Sequence, residues 1–309
     1  MSGATALGLA LGLDLVLGEY PSALHPVVFM GHCISLFETR GPTAGRGRQL
    51  AWGALMAVFL PTLFGAGAAL LVGTSKRLGW PGVALEALAL KSTFALRELG
   101  CAGKRLRDAL GRGALGEARH GLRDLCSRDP SRLGATQLAA AAIESLAENA
   151  SDSILAPVFF YVLFGLPGAF AYRVVNTLDA RIGYRGRYEW LGKPAARLDD
   201  LANLVPSRLT AILLLLAGLL RGADVRRGAR TLWRDRRKTE SPNAGRPMAA
   251  MAGLLRVELV KEGDYHLGDP LEPVDPDKVD TAWRLVSLAA CLGIGFSVVA
   301  LGAVHGLRY

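Results

Sequence analysis

Carboxylates, amides and arginines recur together at two places in this 309-residue chain, and both places lie against apolar stretches. One is Glu144-Ser-Leu-Ala-Glu148-Asn149-Ala-Ser-Asp152. The other begins Asn176-Thr-Leu-Asp179 and closes Arg197-Leu-Asp199-Asp200-Leu-Ala-Asn203. Ionisable groups at a membrane boundary are costly to desolvate and mark functional sites. The mixture of acids, amides and guanidiniums suits a polar, phosphorylated substrate handled beside a membrane.

The spacings carry the chemistry. Glu144 and Glu148 stand four apart, so on a helix they share a face, and Asp152 falls near that face one turn later. Carboxylates so placed repel unless a cation or base sits between them. Magnesium takes such hard oxygen ligands, one or two carboxylates plus substrate phosphates. A solvated helix face, or ion pairs to nearby arginines, explains the same spacing. Arg173, Asn176 and Asp179 step along at three-residue intervals. The arginine can grip a phosphate or carboxylate with two prongs, and Asp179 can bind metal or orient an amine. A polar cap at a helix end accounts for them equally well. Asp199 and Asp200 follow Arg197, with Asn203 one turn on, which a helix N-terminus or turn would also explain. His25 and His32 are seven apart, a poor metal pair, and read as core or loop residues. There is no Gly-x-x-x-x-Gly-Lys-Ser/Thr loop for ATP and no Gly-x-Ser-x-Gly elbow.

The elements that must position these residues are apolar and long. Hydrophobic residues make up 51% of the chain and its mean hydropathy is +0.28, high for a soluble protein. Five stretches are candidate membrane segments: Ala4–Gly18, Ala51–Gly73, Ile154–Val175, Leu204–Leu220 and Trp283–Val304. A span takes about 20 apolar residues. The first stretch is short and carries Asp14, and it reads as retained rather than as a signal peptide. The third is broken, with Pro157 near its start and Gly165-Leu-Pro167-Gly168 in its middle.

Polar regions at about 76–152 and 221–282 separate these stretches, and both are rich in Lys and Arg. The positive-inside rule makes both cytoplasmic. In the first, Leu85, Leu88, Leu96, Leu99, Leu106 and Leu110 follow helical spacing, and a small-residue helix runs from Ala135 to Asn149. In the second, Pro247 suits the first turn of a helix, and Arg256–Lys261 alternates before a Glu262-Gly263-Asp264 turn. The expected fold is therefore an all-α polytopic integral membrane protein, read as one membrane-embedded domain. Amphipathic surface helices and a small β-hairpin near 256–267 complete it. The net charge of +9 suits anionic lipid headgroups, nucleotides or acidic substrates. With no RNA-recognition motif and 7% aromatics, nucleic acid is not expected as a partner. Cys33, Cys101, Cys126 and Cys291 form no Cys-x-x-Cys pair and read as reduced structural thiols.

Four longer motifs resemble one family. Asp14-Leu-Val-Leu-Gly18-Glu-Tyr-Pro21 with His25-Pro-Val-Val-Phe-Met-Gly31 looks like its N-terminal signature. Glu144 through Pro157 looks like its central one, continued by Ala171 through Tyr184 and Ala196-Arg-Leu-Asp-Asp200. Ser241 through Gly253 looks like its C-terminal one, with Arg246 departing from the bulkier apolar or aromatic residue expected there. The chain is thereby similar, over nearly its whole length, to the membrane-bound adenosylcobinamide-phosphate synthases of vitamin B12 biosynthesis, called CobD or CbiB.

The resemblance implies a ligase that joins adenosylcobyric acid to aminopropanol, or its phosphate, as an amide, with ATP and magnesium. Phosphorylating the carboxylate would supply a leaving group for the amine to displace. The implied setting is the cytoplasmic (inner) membrane, crossed several times, with membrane lipids and other late cobalamin-pathway enzymes as further partners. On this reading Glu144, Glu148, Asp179 and Asp200 are candidate catalytic residues. Asn149, Arg173, Asn176, Arg181, Asn243 and Arg246 are candidates for substrate binding, and Glu148, Asp152, Asp179 and Asp199 for metal. The polar runs would converge on one cavity, with the third apolar stretch turned back on itself at Gly165–Gly168. Two alternatives are a transporter of a corrinoid intermediate and a regulatory membrane protein of the AmpE type.

Overall fold

The structure is a computed structural model that describes residues 3–306, and the side chains of 3–303. It is helical apart from one short hairpin, as expected for the polytopic class. Contacts divide the chain into two compact units. Within the described residues, one takes 3–95, 156–203 and 295–306, and the other takes 96–155 and 204–294.

The first unit contains α1 (Gly3–Leu17), α2 (Pro26–Arg40), α3 (Arg46–Ser75), α4 (Trp80–Lys91), α8 (Ala156–Ile182) and α9 (Lys193–Ala202). Its core joins Met30 and Ile34 of α2, Met56 and Leu60 of α3, Val174 and Leu178 of α8, and Ala195 of α9. The chain of α8 is not one rod. Gly165 has φ 65° and ψ −160°, a conformation open to glycine but strained for other residues. Phe160 and Tyr172 stack with ring centroids 5.0 Å apart. Twelve residues of straight helix would separate them by about 18 Å. The segment therefore folds back on itself, as the Gly-Leu-Pro-Gly break predicts. A Cβ on Gly168 would lie 2.6 Å from the Phe160 carbonyl, so the two arms meet where only glycine fits.

The second unit contains α5 (Leu96–Gly111), α6 (Leu115–Leu122), α7 (Ala135–Asn149), α10 (Leu204–Leu220), α11 (Val225–Asp235), α12 (Gly245–Leu255) and most of α13 (Pro276–Gly306). Residues 138–147 of α7 and 247–255 of α12 are buried without interruption, and most of them are alanine, glycine or other apolar residues. Arg256 takes a left-handed conformation, φ 61°, at the end of α12 and turns the chain into β1 (Glu258–Lys261). This strand pairs antiparallel with β2 (Tyr265–Gly268), Leu259 opposite Leu267 and both buried. The expected hairpin near 256–267 is present, its Gly263 at φ 76°. Asp235 anchors it. That carboxylate is fully buried and meets Arg234 at 2.8 Å, Lys238 at 2.7 Å and the Gly268 N–H at 2.9 Å.

Three helical stretches are long and apolar enough to cross a membrane: Arg46–Leu78, Ala135–Ile182 and Pro276–Ala303. A fourth is available if Lys193–Ala202 and Leu204–Leu220 count as one bent span. Gly3–Leu17 is apolar but too short. Leu55, Val58, Phe59, Leu63 and Leu70 of α3 are exposed, as are Phe296 and Val299 of α13. Soluble proteins rarely leave such rows uncovered, and lipid contact explains them.

One amphipathic pattern across Leu85–Leu110 is two helices. The Ser92 and Thr93 hydroxyls donate to the carbonyls of Ala89 and Leu90, 2.7 Å each. They take the acceptors a continuing helix would need, and α4 stops.

Candidate functional site

In the first unit, the second arm of α8 and the end of α9 bring seven predicted or flanking polar residues together. Arg173 donates to Asn176 at 3.1 Å, and Asn176 lies beside Asp199. Asn203 donates to the other side of this network, from Nδ2 to Asp199 Oδ2 at 3.0 Å. The Tyr172 hydroxyl in turn donates to Asn203 Oδ1 at 2.9 Å. Asp199 is thus held by the Asn203 amide, itself fixed by Tyr172.

Arg173 reaches Asn176, and like charges act on the buried acids. The charges acting on Asp199 are those of Asp179 and Asp200, and the charge acting on Asp179 is that of Asp200. Asp200 meets the exposed Arg197 at 3.7 Å, a contact that solvent screens. Asp199 Oδ1 is buried and has no hydrogen-bond partner among the described residues.

The pair Asp199–Asp200 does not start a helix. Pro194 marks the start of α9, and Asn203 caps its C-terminus, so both acids lie in the last turns. There the helix carbonyls add negative character instead of relieving it. Such a cluster has use for a cation. Among the described residues no three of His, Cys, Asp and Glu converge as ligands. A magnesium ion at Asp179 and Asp199 would need substrate oxygens to complete its shell, as magnesium sites commonly do.

Arg181, predicted to meet substrate, is engaged by the fold. It donates to the Gly31 carbonyl at 3.0 Å and to Ser35 Oγ at 2.7 Å, tying α8 to α2. A second polar group lies in the same unit. His25 caps α2 by accepting the Val27 N–H through Nδ1, and its Nε2 meets Glu19 Oε2 at 2.6 Å. Lys91 Nζ lies 3.9 Å from the same oxygen and 3.9 Å from the Tyr20 ring centroid. Burial pushes the Glu19 carboxyl up, but His25, Lys91 and Arg173 outweigh it and hold the group below its ordinary range.

In the second unit, Glu144, Glu148 and Asn149 share α7, while Asp152 lies on a π-helical stretch, Ala150–Leu155. Glu144 meets Arg128 at 3.4 Å, with Tyr265 nearby, whose hydroxyl donates to Met248 Sδ at 3.9 Å. Glu148 acts on Glu144 and on Tyr265, so the two glutamates do share a face. Asn149 is spent on the fold. It donates to the carbonyls of Ser145 and Leu125, at 3.0 and 3.4 Å, and accepts from Ser153 at 2.8 Å.

Asn243 accepts from Ser207 at 3.2 Å. Arg246 lies close to Arg208, Arg236 and Arg237. Burial, then these three like charges, push its guanidinium below the usual range. Its Nε has no hydrogen-bond partner among the described residues. A guanidinium so placed suits an anion.

The residues that sequence reasoning passed over are the partners: Arg128, Tyr172, Tyr265, Glu19 and Lys91. Lys91 ends an apolar helix and carries no local signal. Glu19 and His25 stood inside a quoted motif, and their six-residue separation was the available clue.

The profile of the CobD/Cbib protein family matches residues 7–286. The chain is similar to a cobalamin biosynthesis protein CobD of Dehalococcoides mccartyi, 42% identical over 97% of each chain. It is similar to a probable cobalamin biosynthesis protein CobD of Methanothermobacter thermautotrophicus, 39% identical over 98% of this chain and 99% of that one. A cobalamin biosynthesis protein CobD of Klebsiella pneumoniae is 35% identical over 96% of this chain and 95% of its own. No solved structure matches.

Proposed function

We propose that this chain, which belongs to the CobD/Cbib protein family of cobalamin biosynthesis, forms the amide between a cobyric acid carboxylate and aminopropanol or its phosphate. The reading makes it a carbon–nitrogen ligase of the cytoplasmic membrane. The observation that carries it, beside the family, is Asp199: an acid with an unpartnered oxygen, held by the Asn203 amide beside Asp179 and Asp200.

An amine substrate arrives protonated and cannot attack until it loses that proton. Asp199 Oδ1 is the oxygen free to accept it, and proton transfer by a positioned carboxylate is general-base catalysis. Asn203, bonded to the other oxygen, keeps it aimed. Arg173, beside Asn176, would hold the acid or phosphate of a substrate. Asp179 is the better candidate for magnesium, because Asp199 is kept for the proton and Glu148 and Asp152 each already engage a partner. Bound magnesium–ATP would neutralise charge and supply the phosphoryl group that carries off the carboxylate oxygen. The row of exposed apolar side chains on α3 would keep the protein in the bilayer.

The test is product formation by purified protein in lipid nanodiscs. Cobyric acid, aminopropanol with and without phosphate, and magnesium–ATP are supplied, and the amide is read by mass spectrometry. Product that disappears with Asp199→Asn supports the reading. Corrinoid flux into vesicles with no ATP turnover and no amide would replace it with the transporter.

A further inference from the structure

In the second unit α10 and α11 lie side by side, and their exposed faces differ in chemistry. On α10, Val205, Leu209, Ile212, Leu216 and Leu219 are exposed at helical spacing. On α11 and just past its end, Arg226, Arg230, Trp233 and Arg237 are exposed at the same spacing. Between Val225 and Lys238 the one acid is Asp235, and it is buried. Both helices rest on α12 by their opposite faces. A Cβ on Gly218 would lie 2.5 Å from Leu254 Cδ2, and one on Gly253 would lie 2.8 Å from the Gly228 Cα. The apolar stripe and the basic stripe therefore both turn away from α12.

The chain between the two helices reverses at once. The Ala223 N–H donates to the Gly218 carbonyl at 2.9 Å, and Gly222 stands at φ 69°. Gly228 then sits against Leu215, whose Cδ2 would lie 2.9 Å from an added Cβ. At the far end, the Arg236 carbonyl would lie 3.0 Å from a Cβ on Gly245. Asn243, two residues before Gly245, accepts at 3.2 Å from Ser207 near the start of α10. α11 thus runs back along α10. A crossing α10 would draw that row of arginines into the hydrocarbon, where each charge is costly to place. With α10 lying flat, its apolar stripe enters the acyl boundary while the arginines reach lipid phosphates, the arrangement of an interfacial amphipathic helix. Trp233 is 74% exposed, with the Arg236 guanidinium 3.6 Å from its ring centroid. Tryptophan is an anchor at the headgroup level.

We infer that α10 and α11 form a hairpin that lies in the plane of an anionic leaflet and does not cross it. The partner is the headgroup phosphate of an anionic phospholipid. The basic stripe holds no acid to repel it, and each arginine near such a surface adds attraction. Leu204–Leu220 then drops out of the count of spans. The inference shares the membrane setting of the amide-forming reading and none of its chemistry.

The experiment places a nitroxide label at single cysteines, Val205→Cys, Ile212→Cys or Leu219→Cys, in the full chain with its native cysteines changed to serine. The protein is reconstituted in nanodiscs of phosphatidylcholine, alone or in equal mixture with phosphatidylglycerol. Depth is read from collisions with oxygen and with a water-soluble nickel complex. In the anionic discs the three labels should lie at one depth, about 5–10 Å into the headgroup and acyl boundary. Arg226→Gln with Arg230→Gln, or discs without phosphatidylglycerol, should raise the nickel collision rate at all three labels several-fold. The unmodified chain gives a second reading: its unfolding temperature should rise when phosphatidylglycerol is added, and the double arginine variant should lose that rise. Ile212 deepest, with the other two labels near opposite surfaces, marks a crossing helix and overturns the inference. Labels that face water in both discs, or that meet neither reagent because protein covers them, overturn it too. One depth that ignores both lipid charge and the arginines overturns the anionic partner. Leu63→Cys on α3 reads the membrane setting itself. A Leu63 label outside lipid would overturn that setting and the hairpin with it, whereas a lipid-immersed Leu63 beside a crossing α10 overturns the hairpin alone. Position is read without turnover, so neither result is confused with failure of amide formation.

Discussion

Glu144 in one unit and Asp199 in the other each have a buried carboxylate oxygen that no hydrogen bond reaches among the described residues, and their company is opposite. Glu144 has the Arg128 guanidinium at 3.4 Å. Asp199 has one amide donor, Asn203, and two further acids. A buried acid with a cation is stabilised by it, and removing either partner strands the other. A buried acid among acids is a liability to the fold, retained where something else needs it. The same residue type thus reads as architecture in one place and as a site in the other. Glu148, which shares a face with Glu144, stands between these cases, since it has a partner but also faces a like charge.

The largest effect should separate the two acids outright. Asp199→Asn should lower amide formation about 10²–10⁴-fold, the usual contribution of a positioned base. The same variant should unfold at a temperature no lower than the wild type, because like-charge repulsion is relieved. A variant that keeps full rate, or that fails to fold, would erase the contrast.

Glu144→Ala should do the reverse. It leaves Arg128 without its buried partner and should destabilise the protein by about 2–3 kcal/mol, read by unfolding in detergent. Replacing Arg128 as well should recover part of that loss. Equal effects of the single and double variants would show that the pair is not coupled.

Asp235 supplies a fully compensated reference. Burial raises its carboxyl, but Arg234, Lys238 and the Gly268 N–H outweigh that and lower it to about 2. Its ordinary unfolded value is about 3.9. A group whose folded value is depressed stabilises fully above the unfolded value and loses that contribution as pH falls through the folded one. Roughly 2 kcal/mol should therefore be present above about pH 4 and gone below about pH 2. Asp235→Asn should flatten the acid limb of the stability–pH curve. An unchanged limb would mean that the hairpin clamp is not a charge clamp.

The apolar helices were legible because their length and composition are local properties. Leu204–Leu220 and Ala135–Asn149 fall where the pattern places them. The turn at Gly165 was legible for the same reason, since glycine and proline act where they stand. What stayed hidden depends on contacts distant in sequence. Lys91 meets Glu19 across 72 positions, and Glu144 meets Tyr265 across 121. Nothing near Asn149 says that its amide is consumed by the Ser145 and Leu125 carbonyls. The place of Asp199 at the end of α9 was available from Pro194, which belongs in a first turn and so sets the helix running toward Asn203.

The smallest effect tests how the acid cluster is delivered. Arg173, Asn176 and Asp179 all follow the turn at Gly165, so its geometry sets where that arm of α8 points. Gly165 is at φ 65°, where an added Cβ is strained, and no crowding neighbour complicates the cost. Its nearest neighbour atom would be a Pro167 ring carbon at 3.7 Å, ordinary contact. Gly165→Ala should therefore cost only about 1–2 kcal/mol, through backbone strain alone. Gly168→Ala is different, because its Cβ would meet the Phe160 carbonyl at 2.6 Å and force the arms apart. It should disturb the Phe160–Tyr172 stack, and through Tyr172 the hydrogen bond that steadies Asn203 beside Asp199. If the turn positions the acids, Gly168→Ala should lower amide formation by a larger factor than its loss of stability explains, and Gly165→Ala should not. Equal activity in the two variants, at matched folded fractions, would detach the acid cluster from the turn.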